Sequence, residues 1–446
     1  MSSPVSTFFG LQTTLRGLLA QQRAVDVTSH NVANANTEGY SRQEAVLEPT
    51  AALDIRTGAL VGGGGGQLGS GVDVASFRRI RDQFLDLQYR AQNMGLGEWQ
   101  TTAGTLGQVE SGLNEPGDTG INAQLGKFWS AWGDLANTPE SLATREALVS
   151  QAGELTSQIA DLDAQISAVS TQATQEYASI TGPMGTVQKD ATEIDQLNKA
   201  IKQTVDGGGS PNDMMDRRDQ LLDELSQLAQ VSVTNNADGT VDVQFGDATT
   251  PLVDSTGVHW PQTLTAPGGK LGALLQLTNP ATGTLAGYRT SLNAFARQLA
   301  DSVNALHNPS GTGVNFFTYT AGSEASTLTV NATAATVVAS TTSNPGANDV
   351  AVAIAGLRGG AADSAYQALV TQIGSAVSNA QTQSDSAQAL TGAVDDRRQS
   401  TSGVSMDEEM TNLVRFQRAY QASARAMSSV DEMLDTLINR TGRVGL

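Results

Sequence analysis

Near the start of the chain, Phe8, Leu11, Leu15, Leu18, Gln22, Val25, Ser29 and Val32 follow one another at alternating spacings of three and four. That repeat belongs to the seam of a coiled coil, not to a strand. The far end repeats it through Met406, Met410, Leu413, Gln417, Tyr420, Ala424 and Met427, continuing more loosely through Val430, Leu434 and Leu437. Asp407, Glu408 and Glu409 stand where they complement the positive end of a helix dipole, which predicts a helix start near Ser405. The chain is thus bracketed by two amphipathic helices, expected to pair with each other and with neighbouring subunits.

Between Ala35 and Tyr40, polar residues and Gly39 predict a helix stop. A glycine-rich loop over 62–66 and a short strand at 72–74 follow, then a helix from about Phe77 to Ala91. Residues 122–136 read as helix, broken by Asn137, Thr138 and Pro139. A long helix with Leu148, Leu155, Ile159, Leu162, Ile166 and Val169 on one face comes next, with further helices carrying Ile194, Leu197 and Ile201, then Leu221, Leu222, Leu225 and Leu228. Short connections between such helices predict an antiparallel bundle. The period changes to two in Val231 and Val233 and in Val241, Val243 and Phe245, with turn residues between, so a β-hairpin is expected. Helix returns at about 284–306 and 361–399, on either side of a β-prone stretch near 315–340.

Composition fits slender helices. Of 446 residues, 46 are glycine and only 5 % are aromatic, and cysteine is absent, which excludes disulfides and thiolate chemistry. The net charge of −19 opposes binding to phosphate backbones, so nucleic acid is not expected as a partner. Residues 1–45 are neutral and 401–446 carry −1, so nearly all the excess acid lies in the middle of the chain. No apolar run reaches the roughly 18 residues of a membrane span, and no secretory signal pattern stands at the start, so no membrane insertion is expected.

Candidate chemistry is sparse. Gly64, Gly66 and Gly69 satisfy a dinucleotide spacing, but no strand leads in and no helix opens there, so a flexible loop is the better reading. His30, His259 and His307 lack a second histidine at metal-ligand spacing. Asp213, Asp216, Arg217, Arg218, Asp219 and Asp223 could form an acidic site, although ion pairs along a solvated helix account for them equally. No catalytic residue, cofactor or metal is expected, and the leading reading is an oligomerising structural protein rather than an enzyme.

The run Asn31-Val32-Ala33-Asn34-Ala35-Asn36-Thr37-Glu38-Gly39-Tyr40-Ser41-Arg42 resembles the motif shared by rod, hook and hook-associated proteins of the bacterial flagellum. The stretch from Gly403 to Met410, with Phe416 to Arg425, resembles the matching end segment. Leu113 to Pro116, Leu135 to Ser141 and Asn212 to Leu221 are similar to inner motifs of the hook-filament junction type. The resemblance implies a mainly α fold: terminal helices pairing as a coiled coil, an elongated antiparallel helical bundle and small β-rich insertions. It further implies export through the flagellar secretion apparatus with the N-terminus uncleaved, and polymerisation at the boundary of hook and filament. The implied partners are other copies of the chain, the hook protein, the second hook-associated protein and a cytosolic export chaperone at the C-terminal helix. A rod or hook subunit is the nearest alternative, and a secreted translocator-like helical protein a more distant one.

On this reading the chain divides into residues 1–45 and 405–446 as two halves of an inner coiled coil, 46–310 as a bundle with a hairpin near 231–262, 311–360 as a small β-prone outer segment, and 361–404 as a return helix. The expected subunit-interface residues are Leu11, Leu15, Leu18, Val25 and Val32 on the first helix, and Met410, Leu413, Gln417, Tyr420, Ala424, Met427 and Leu434 on the last.

Overall fold

A computed structural model describes residues 8–55 and 66–440. Helix α1 (Phe9–Ala33) leads into strands β1 (Gln43–Pro49), β2 (Leu53–Ile55), β3 (Gly66–Leu68) and β4 (Val72–Arg79). Five helices follow: α2 (Gln83–Leu113), α3 (Ile121–Asn137), α4 (Leu142–Thr181), α5 (Thr186–Asp206) and α6 (Asn212–Leu228). Strands β5 (Val231–Asn235), β6 (Val241–Phe245), β7 (Val253–Asp254) and β8 (Gly257–Val258) precede α7 (Gly269–Thr278) and α8 (Thr284–His307). The chain then runs through β9 (Phe317–Thr318), α9 (Glu324–Thr327), β10 (Thr329–Val330) and α10 (Asp349–Ala355). It returns by α11 (Ala361–Ser402) and ends in α12 (Met406–Asp435), whose last turn, Thr436–Arg440, is wound as π-helix.

The fold is mainly α. At 42 residues α11 is about 63 Å long and runs back along α2. Their antiparallel pairing is fixed at one end by Arg398, whose guanidinium lies 4.0 Å from the centre of the Tyr89 ring, and further along by Gly374, whose missing side chain faces Glu110. A larger core fills the space between α2, α3, α4, α8, α10 and α11 around Phe128, Trp129, Trp132, Phe295 and Tyr366. A second core joins α4, α5, α6 and α7 to the sheet through Val187, Ile194, Leu222, Leu225, Val243 and Phe245.

Three expectations shift. The helix expected from Phe77 begins at Gln83, because Val72–Arg79 pairs with β1 from Val72↔Pro49 to Arg79↔Gln43. Asp82 then caps α2 by accepting from Phe84 N at 2.9 Å. The hairpin pairs Val231 with Phe245 and turns at Gly239 (φ 83°), but β7 and β8 extend it to four strands in sequential order. The β-prone stretch near 315–340 holds as strands β9 and β10, of two residues each. Apart from the short α9 the rest is loop, and Phe316, Phe317, Leu328 and Val337 of this stretch insert into the larger core. His307 anchors that loop: its ring accepts from Val338 N at 3.0 Å and its Nδ1 lies 3.0 Å from Val314 O. Of the glycine spacing, Gly64 lies outside the described residues, while Gly66 opens β3.

Candidate assembly interface

Helices α1 and α12 pair antiparallel in one constant register. Gly10 faces Val430, Gly17 faces Ser423, and Asn31 donates to Glu409 Oε2 at 3.0 Å, so every step along one helix is matched by an equal step back along the other. The buried side of α1 is Ala20, Ala24, Thr28 and Asn31, all small or polar. A Cβ added to Gly17 would stand 3.6 Å from Ser423 Oγ, and small side chains of this kind let two helix backbones approach closely. The inner side of α12 runs through Glu409, which is buried, and half-buried Asn412, Phe416, Ala419, Ser423 and Val430 to buried Leu434.

The large apolar residues named from the sequence lie mostly beside that seam. On α1, Leu15 is 43 % exposed, while Leu11, Leu18, Val25 and Val32 are half-buried. On α12, Met410 is 50 % exposed and Tyr420 37 %, Gln417 is exposed, and Leu413, Ala424 and Met427 are half-buried. Leu434 alone of the twelve is buried. Leu437 falls where its side chain is outside the described residues. The two terminal helices therefore meet along a stripe next to the expected one, because backbone proximity is gained through Gly, Ala and Ser. The bulky apolar ridge is left facing outward, and Phe8, Leu19, Met406, Val414 and Met433 widen it.

The shared motif builds the joint below this pair. Asn31 is the hub: its Oδ1 accepts from Tyr40 OH at 2.8 Å and from Gln43 N at 2.9 Å, while its Nδ2 donates to Gln43 O and Glu409. Arg42 ion-pairs with Glu408 at 2.7 Å and Glu409 at 2.8 Å, and its backbone N donates to Ser402 O. Gly39 takes φ 77°, which a residue with a Cβ rarely adopts, and so turns the chain out of α1. Burial, then the neighbouring Asp213, Asp216 and Glu409 carboxylates, push the Tyr40 hydroxyl far up, so it stays a donor.

Three acids of α6 are not on a solvated face, contrary to the sequence reading. Asp216, Asp219 and Asp223 point inward at Arg79, the last residue of β4, at Arg81 just after it, at Arg90 of α2 and at Arg398 of α11. Burial would raise the Asp219 carboxyl, but Arg81, Arg79 and Arg90 outweigh it and hold it at about 2. Arg218 is buried too, and donates to Asn198 Oδ1 and Gly239 O. Burial pulls its guanidinium down to about 10. Arg217 instead keeps a surface pair with Glu193, and Asp213 lies at the surface beside His30. Ser41 N donates to Asp216 Oδ2 at 3.0 Å, so this cluster is continuous with the joint. Spacing within α6 signals only that 216, 219 and 223 share one helix face; the arginines that they meet come from elsewhere in the chain. Among the described residues no group of His, Asp and Glu converges as a metal site.

Three family models match: the flagellar hook-associated protein FlgK helical domain over residues 106–265, the C-terminal model of flagellar basal body rod proteins over 397–440, and the flagella basal body rod protein model over 11–40. The flagellar hook-associated protein 1 of Bacillus subtilis is 29 % identical over 98 % of this chain and 99 % of its own length. Over nearly its whole length the chain is therefore similar to a flagellar hook-associated protein 1. Its Salmonella typhimurium counterpart is 30 % identical over 54 % of this chain but 42 % of its own length. The solved flagellar hook junction protein of Burkholderia pseudomallei, at 24 % identity and a TM-score of 0.45, overlaps 52 % of this chain and 47 % of its own. The proteins that it matches are structural components of the flagellum rather than enzymes.

Proposed function

We propose that this chain polymerises at the boundary between hook and filament and joins the two, with α1 and α12 as the inner contact layer. The observation that carries this is the α1/α12 pair itself: the α1 side of its seam is built from small or polar residues, and most of its large apolar side chains are left half-buried or exposed on both helices. Such a ridge gains by burial against other copies at about 25 cal/mol for each Å² of apolar surface covered. Residues Leu11, Leu15, Leu18, Val25 and Val32, with Met410, Leu413, Gln417, Tyr420, Ala424, Met427 and Leu434, form the subunit contact on this reading. Residues 46–310 and 361–404 form the surrounding bundle, with 311–360 outermost.

The proposed neighbours are further copies of the chain, the hook protein on one side and the second hook-associated protein on the other. Before assembly the chain leaves the cell through the flagellar secretion route with its N-terminus uncleaved, its exposed C-terminal helix covered by a cytosolic chaperone. Deleting the gene in its own host tests this. The expected result is cells with hooks, no attached filaments and free filament protein in the medium; normal filaments on the deletion strain would overturn the reading.

A further inference from the structure

Helix α12 carries its charge in bands. From 410 to 430 there are three arginines, Arg415, Arg418 and Arg425, and no acid, whereas Asp431, Glu432 and Asp435 follow with no base among them. All six side chains are exposed, and none makes an ion pair among the described residues. Arg415 does no more than lie over the Phe416 ring, and Asp435 accepts from Asn439. The acids at the other end are used differently, since Glu408 and Glu409 are both held by Arg42. On α1 the hairpin β1–β4 packs alongside and takes up the arginines: Arg16 donates to Ser70 O and Arg23 faces Asp73 at 3.6 Å. Helix α12 packs chiefly against α1, and its opposite face is open.

From these bands we infer that α12 docks against α12 of a second copy, parallel to it and displaced by two heptads, so that Arg418 of one copy stands beside Glu432 of the next. This rests on the polymer reading above. A contact that repeats without closing keeps all copies pointing the same way. Two parallel α12 helices in register would set arginine against arginine and acid against acid, which is repulsive. A shift of fourteen residues, about 21 Å at the helical rise, sets the basic band against the acidic one. The same shift preserves the heptad, so Met406 meets Tyr420, Met410 meets Ala424, and Leu413 meets Met427. Exposed pairs add little affinity, but they discriminate between registers, and the apolar ridge alone accepts any whole number of heptads.

Charge exchange in the host tests it. One variant carries Arg415→Glu, Arg418→Glu and Arg425→Glu; the other carries Asp431→Arg, Glu432→Arg and Asp435→Arg. Each alone is expected to be exported but to leave cells without attached filaments. Expressed together they are expected to restore filaments, since each offers the band that the other lacks. Normal filaments with either variant alone, or none with both together, would overturn the register while leaving the polymer reading intact. Failure of the unaltered chain to restore filaments to the deletion strain would instead sink the polymer reading. A second measurement decides if the variants are not exported. The chain has no cysteine, so Arg418→Cys with Glu432→Cys in one chain should cross-link successive copies in isolated flagella through a short bis-maleimide, while Arg418→Cys alone should not. Cross-linking by the single variant, or none by the double, overturns the proposal.

Discussion

Asp190 carries a charge that the fold disfavours. Burial, then Glu224 and Glu193, raise its carboxyl from 3.8 to about 6, and Arg217 and Lys189 only partly offset them. A carboxyl raised on folding favours the folded state below its unfolded value and loses that contribution as pH rises through the folded value. Asp190→Asn should therefore stabilise the bundle at pH 7.5 by about 1 kcal/mol and flatten the change in melting temperature between pH 4 and 7; an unchanged pH profile would show that the charge is compensated. Asp219 behaves in the opposite sense. Held at about 2 beside three arginines, it contributes fully above pH 4 and loses that contribution only as pH falls through about 2. Asp219→Ala leaves Arg79, Arg81 and Arg90 facing each other, and should cost about 3 kcal/mol by denaturant titration at pH 7. Asp219 was not legible in the sequence as an inward group, because its partners are remote: Arg79 and Asp219 are separated by 140 positions. Local spacing shows which residues share a face, not whether that face meets solvent.

Among the elements, the long helices were the most legible, since α4 buries Leu148, Leu155, Ile159, Leu162 and Ile166 on the face that its three-four spacing marks. The terminal pair was half legible. Its two helices are where the pattern placed them, yet the seam runs through Gly17, Ala20, Ala24 and Thr28, which carry little hydrophobic signal and gain their value only from a close neighbour. Two substitutions on α1 separate its two faces. Ala24→Leu overfills the seam and should cost about 1–3 kcal/mol, seen as faster amide exchange along α1 and α12. Leu15→Asp, on the exposed ridge, should leave that exchange unchanged while abolishing attached filaments. Filaments retained with Leu15→Asp would remove the ridge from the subunit contact.

At the scale of the molecule, a buried charge cluster ties the inner pair to the body. The motif 31–42 holds the base of α1 to the start of α12 through Arg42, and Ser41 passes directly to Asp216 and so to Arg79 and Asp219. Arg398 closes the ring from α11, so both chain ends leave the bundle at one place and in a fixed direction. That geometry suits a subunit whose inner contact layer must keep its angle to the outer body while copies stack. The most direct measurement is the position of the protein on the flagellum. Gold-labelled antibody against the bundle, applied to isolated hook–filament structures, should mark one narrow band where the hook ends and the filament begins; label spread along the hook, the filament or the rod, or no label at that boundary, would contradict the account.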